Sequence, residues 1–197
     1  MRSLTTYSMY TLVVTTPPAT EPVSVEELKS HLRLNDGSED ALLSGFISTA
    51  RIMFEEATGR AVVSTVYRQY LPSFNQCFYL MKYPVLGVTN VKYYDQDGTL
   101  QTANSSTYHA DTISIPATIR FNSIPATSST ISPVAYVEFT AGWATVPEPV
   151  KLAIKLLAGH YYTNREAYTE LQLDELPKGF RAVCDIYRTG LIGPWEM

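Results

Sequence analysis

The chain reads as an α+β protein, a small helical bundle (a helical hairpin plus C-terminal helices) interrupted by an inserted antiparallel β domain. Three observations predict this. Residues 21–60 and 147–197 carry apolar residues at helical spacing, residues 61–146 switch to short runs of β-branched and aromatic residues, and Ser, Thr, Asn, Pro and Gly gather between those runs. The expected organisation is an extended arm over 1–20 that adds a strand to the sheet, a bundle over 21–60 and 147–197, and a β domain over 61–146.

The first helix is marked at its start. In EPVSVEELKSHL, Ser24 and Glu27 have the S-x-x-E spacing of a capping box, and Val23 sits where it can staple onto Leu28. That predicts a helix from about Val25 to about Leu34, ended by the turn residues Asn35, Asp36 and Gly37. Ser38 is placed to cap a second helix. In that helix Leu42, Leu43, Phe46, Ala50, Met53, Phe54 and Ala57 recur at helical spacing, and Gly59 closes it.

From residue 61 the period becomes that of strands. VYRQYL, FYLMKYPV, VTNVKYY, TIRF and VAYVEFTAGW are short and aromatic, and the N-terminal YTLVVTT has the same character. The helical period returns at Pro147. Pro147 and Pro149 suit a first turn, where missing N–H donors cost nothing, and the helix is expected to run to about Tyr168. Its residues Val150, Ala153, Ile154, Leu157 and Tyr161 share one face, and Leu152, Leu156, Gly159 and Thr163 share the opposite one. A surface helix needs one apolar face, so the second is covered either by this chain's own elements or by another subunit. An interior glycine costs about 1 kcal/mol against alanine, and Gly159 therefore points to a close helix–helix approach. After LQLDELP a short segment, KGFRAVCDIYRTG, carries Phe180, Val183, Ile186 and Tyr187 at helical spacing beside Arg181 and Arg188.

Composition narrows the function classes. The chain has 197 residues and a formal net charge of −4. Residues 21–60 carry four bases against eight acids, residues 61–146 four of each, and residues 147–197 six bases against seven acids. No segment concentrates the cations that tight nucleic-acid binding needs. Two distant cysteines, Cys77 and Cys184, make neither a disulfide framework nor a thiolate zinc site and fit a reducing compartment. The start lacks the apolar core of a signal peptide, so a soluble protein is expected.

Catalytic and metal templates find no match. His31, His109 and His160 have no ligand partner at motif spacing, and no Walker, Rossmann or nucleophile-elbow signature occurs. The doublets Glu26–Glu27, Glu39–Asp40 and Glu55–Glu56 point in different directions on a helix and share no proton. In YYDQDGTL, Asp95, Asp97 and Gly98 resemble the opening of a calcium loop, but the position of the required acid is Ser106. A hairpin turn with Gly98 at positive φ is the better reading. No cofactor, metal or catalytic residue is expected.

In order along the chain, EPVSVEELKSHLRL, EDALLSGFISTAR, FEEATGRAV, a β segment with YPVLGVTNVKYYDQDG, and VPEPVKLAIKLLAGHYYTNREA resemble the head-tail connector (adaptor) proteins of long-tailed bacteriophages. The resemblance spans about residues 15–168 and implies the longer form with a β insertion. It implies a noncatalytic virion protein at the head–tail interface, made in the host cytoplasm. Such a protein forms a homo-oligomeric ring, usually a dodecamer, that docks on the portal and extends the DNA channel toward a stopper and the tail. DNA would pass through without sequence-specific binding, and no membrane is involved. On that reading Leu152, Leu156, Gly159 and Thr163 face a neighbouring subunit, and Phe180, Arg181, Val183, Ile186, Tyr187 and Arg188 meet the portal or another partner. The alternative is a carbohydrate- or host-surface-binding module that uses the tyrosine-rich sheet; a small hydrolase without known motifs is the remotest reading.

Overall fold

The structure, a computed structural model, describes residues 11–164 and 176–189. The fold is α+β. The chain divides into two compact units, one of Met1–Pro17 with Thr65–Gly142 and one of Pro18–Ser64 with Trp143–Met197.

The first unit is built of antiparallel strands. They are β1 (Thr11–Thr16), β2 (Thr65–Leu71), β3 (Cys77–Tyr79), β4 (Val85–Tyr94), β5 (Leu100–Thr102), β6 (Tyr108–Asp111), β7 (Thr118–Phe121) and β8 (Ala135–Ala141). A five-stranded sheet runs β1-β2-β8-β4-β5 and a three-stranded sheet runs β3-β7-β6. Strand β2 alternates strictly: Thr65, Tyr67, Gln69 and Leu71 are buried while Val66, Arg68 and Tyr70 are half-exposed, the period of two expected of a sheet with one covered face. On β8 the buried set is Ala135, Val137, Phe139 and Ala141. Buried Gln69 joins the two sheets, donating to the Tyr79 carbonyl at 2.8 Å and accepting from the Met81 N–H at 3.0 Å. Both polar ends of its amide are thereby satisfied, as a buried amide requires.

The YYDQDGTL stretch is the β4–β5 turn. The Gly98 N–H donates to the Asp95 carbonyl at 3.0 Å with Gly98 at φ +79°. The Asp95 carboxylate accepts from the N–H groups of Asp97 and Thr99 and from the Gln101 amide. The Gln101 amide, then the Thr99 and Asp97 N–H groups, hold this carboxyl below its ordinary range. Its lone pairs serve the turn.

The second unit is helical, with α1 (Val25–Leu32), α2 (Asp40–Thr58), α3 (Glu148–Thr163) and α4 (Lys178–Tyr187). At α1 both halves of the capping box form, Glu27 N–H to Ser24 Oγ at 3.1 Å and Ser24 N–H to Glu27 Oε2 at 2.8 Å. Val23 and Leu28 are buried together in the core, as a staple requires. The helix stops at Leu32, two residues early, because Arg33 takes the left-handed conformation at φ 60° and Leu34 donates back to the Lys29 carbonyl. Ser38 does not cap α2. Its hydroxyl donates to Asp36 at 2.6 Å, and Glu39, at the cap position, makes no capping bond to the helix; its carboxylate accepts from the Tyr162 hydroxyl at 2.7 Å instead. Helix α3 ends at Thr163, short of the expected Tyr168, where the N–H and side-chain amide of Asn164 both donate to the His160 carbonyl. Residues 165–168 lie outside the described residues. Leu43, Ile47, Ala50 and Phe54 of α2 and Val150, Ala153, Ile154 and Leu157 of α3 share the unit's core, each large apolar side chain contributing about 1.5–3 kcal/mol on burial. No described helix is long and apolar enough to cross a membrane.

Candidate partner-binding surface of the helical unit

The second face of α3 divides between its own unit and solvent. A Cβ on Gly159 would lie 3.1 Å from Leu32 Cδ2, so the close approach that the glycine signalled is to α1 of the same chain. Leu156 is half-buried, and a Cβ on Gly179 of α4 would come within 3.0 Å of its Cδ1. Gly159 is thus taken up by packing inside the unit, and Leu156 is taken up there in part. Leu152 stays 45% exposed. Thr163 is exposed too, its hydroxyl donating back to the Gly159 carbonyl at 3.0 Å.

Helix α4 also departs from the expectation of an outward-reaching segment. Phe180 is fully buried, edge-on to Phe54 at a 6.3 Å ring separation. Val183 and Tyr187 pack against the same core, Tyr187 also meeting Phe54 and Trp143. Cys184 is fully buried, and burial pushes its thiol up to about 12. The periodicity of α4 was real, but the surface that covers its apolar face belongs to this chain. Ile186 remains 77% exposed, and Arg181 and Arg188 are half-buried. Arg188 lies 3.9 Å from Asp185.

A buried ionic cluster escaped the sequence reading. Arg51 is held at Nε and Nη2 by the two oxygens of Glu21, at 2.7 and 3.2 Å, and at Nη1 by Glu55 Oε2 at 2.8 Å. The other Glu55 oxygen accepts from the Val62 N–H at 2.8 Å. Burial works against the Arg51 charge; the hydrogen bonds it donates to Glu21 and the charges of both carboxylates more than reverse it, and the net direction is up. The signal was available: Arg51 is the single charged residue between Asp40 and Glu55 on α2.

The tyrosines of the sheets are engaged in packing. Tyr67 stacks on Phe139 at 5.8 Å, Tyr70 pairs with Tyr136, Tyr93 meets Phe74 and Tyr108 meets Phe121. The Arg68 guanidinium lies 4.6 Å from the Tyr136 ring centroid. Tyr79 is the exception at 55% exposed. Among the described residues, no three His, Cys, Asp or Glu side chains gather in a group able to hold a metal.

The described surface therefore offers apolar and polar contact points, Leu152, Thr163 and Ile186 among them. The sequence profile of phage gp6-like head-tail connector proteins matches residues 22–122, more than half of the chain. A chain in the neck of an empty gene transfer agent particle, computed with C6 symmetry, is 24% identical with a TM-score of 0.76, over 91% of this chain and 95% of that one. The neck of the native particle, computed with C12 symmetry, gives 24% identity and a TM-score of 0.69 over 92% and 95%. A chain of the native gene transfer agent virion gives 25% identity and a TM-score of 0.71 over 90% and 95%. No curated protein sequence matches. The chain belongs to the phage gp6-like head-tail connector family.

Proposed function

We propose that this protein is a noncatalytic subunit of a virion neck, twelve copies closing a ring that docks on the portal and carries the DNA channel toward the stopper and tail. The observation that carries the reading is the extent of likeness: 90% of this chain and 95% of its counterpart in a gene transfer agent virion superimpose. The neck computed with C12 symmetry supports the number. Leu152 and Thr163, left exposed on α3, are the contact points toward a neighbouring subunit. Ile186 and Arg181 on α4 are the contact points toward the portal. The charge pattern suits a duct, since a net charge of −4 without a basic segment lets DNA slide past rather than bind.

The test is loss of the gene in the producing phage or particle. Filled heads without tails, restored to tailed particles by the protein supplied in trans, are the expected result. Tailed particles in normal yield from the deletion would overturn the reading.

A further inference from the structure

We infer that the outward face of α2 is the second half of the ring contact and receives the Leu152 side of α3 from the next copy. The inference rests on the ring reading above. It starts from the sequence of α2, in which Ala41 to Phe54 contains one charged residue, Arg51, and that guanidinium turns inward to Glu21 and Glu55. The solvent face of a helix on a soluble unit normally carries charge. Here, over the three turns before the exposed Glu56, it presents Leu42, Gly45, Thr49 and Ile52 at spacings of three and four, with Leu42 41% and Ile52 49% exposed.

Two details separate this face from an ordinary wet one. The hydroxyls of Ser48 and Thr49 both fold back onto the Gly45 carbonyl, at 3.0 and 2.8 Å, so their donors are satisfied without water. And a Cβ on Gly45 would meet nothing within 4 Å. A glycine inside a helix is unfavourable and ordinarily has a packing reason. Gly159 finds that reason in Leu32 of its own chain; among the described residues Gly45 finds none, and a neighbouring copy would supply one.

The occupant is a second copy because of what a closed ring demands. A cyclic assembly is joined head to tail, so each subunit presents two different patches that fit one another. Helices α2 and α3 share a core through Leu43, Ile47, Ala50 and Phe54 on one and Val150, Ala153, Ile154 and Leu157 on the other. Their outward faces therefore point away from each other. The hollow over Gly45, flanked by Leu42 and Ile52, takes an aliphatic knob, and the exposed Leu152 supplies one without charge.

The test uses particles assembled with the full chain carrying Gly45→Cys and Leu152→Cys together, in a Cys77→Ser background, treated with a short bismaleimide. The expected result is a ladder of linked chains at multiples of 22.0 kDa, with each single cysteine variant giving none. Rings visible by electron microscopy whose chains remain single after linking would overturn this contact while leaving the ring intact. Particles whose necks lack the chain altogether would overturn the ring reading as well. A second variant guards against misfolding. Gly45→Lys projects into open space and removes a helix-interior glycine, so the purified protein should melt at the same or a higher temperature while its copies no longer join necks. Normal incorporation of Gly45→Lys would overturn the inference.

Discussion

Replacing Phe180 by alanine decides whether α4 is part of the bundle or an arm held out for a partner. The ring is fully buried and meets Phe54 edge-on at 6.3 Å, beside the equally buried Cys184. Phe180→Ala removes the transfer free energy of the ring and leaves a cavity, a loss of about 3–5 kcal/mol for a phenylalanine in such a site. Domains of this kind are stable by about 5–15 kcal/mol in total, so the loss is a large fraction of what holds the unit folded. The assay is equilibrium urea unfolding of the purified protein, followed by far-ultraviolet circular dichroism and by tryptophan fluorescence in a Trp195→Phe background, which reports on Trp143, whose ring lies 5.7 Å from Tyr187. Ile186→Ala is the internal control: at 77% exposure it should change stability by less than about 0.5 kcal/mol. A Phe180→Ala loss under about 1 kcal/mol would refute the placement of α4 in the core. By the same reasoning, deleting residues 169–197 removes α4 and should unfold the helical unit.

Other outcomes follow from the same structure. Gly98→Val should destabilise the strand unit by about 1 kcal/mol or more, because φ +79° is forbidden to a β-branched residue, and a chelator should leave the melting temperature unchanged. Leu157→Asp strands a charge among fully buried neighbours and should prevent the helical unit from folding, whereas Leu152→Asp should leave the monomer's circular dichroism unchanged and block assembly into necks. Half-exposed Cys77 should react with a thiol reagent in the native state and Cys184 only on unfolding. Burial raises the Cys184 thiol to about 12, so its labelling should not accelerate as pH rises through the ordinary thiol range near 8.5.

Local signals in the sequence were readable because each has a local cause. The Ser24–Glu27 box, the left-handed Gly59 and the Asp95–Gly98 turn depend on backbone groups a few residues away, and the structure forms all three. The short strands β5 and β6, LQT and YHAD, were not anticipated, because they show no apolar alternation and form only through pairing with β4 and β7. The covering of apolar faces was the least legible. Helical spacing shows that Phe180 and Val183, or Leu156 and Gly159, share a face; it carries nothing about whose side chains lie on it. Gly159 and Gly45 illustrate the difference. Both are helix-interior glycines, and among the described residues it is the position of Leu32, against Gly159, that separates them.

The hydrogen bond from the Trp143 N–H to the Val62 carbonyl, 3.3 Å long, binds the place where the chain leaves the helical unit to the place where it returns. Val62 is in turn gripped at its own N–H by Glu55 of the buried ionic cluster. To the helices, everything between those two points is a loop with its ends already tied, and lengthening a tied loop costs only about 0.6 kcal/mol for each doubling. The strand unit can therefore be enlarged, shortened or exchanged over generations with little penalty to the bundle, provided the clamp at Val62 and Trp143 is kept. Strand β1 sets the exception, since it enters the sheet from before Pro18, and a transplant of the strand unit must carry both pieces of chain.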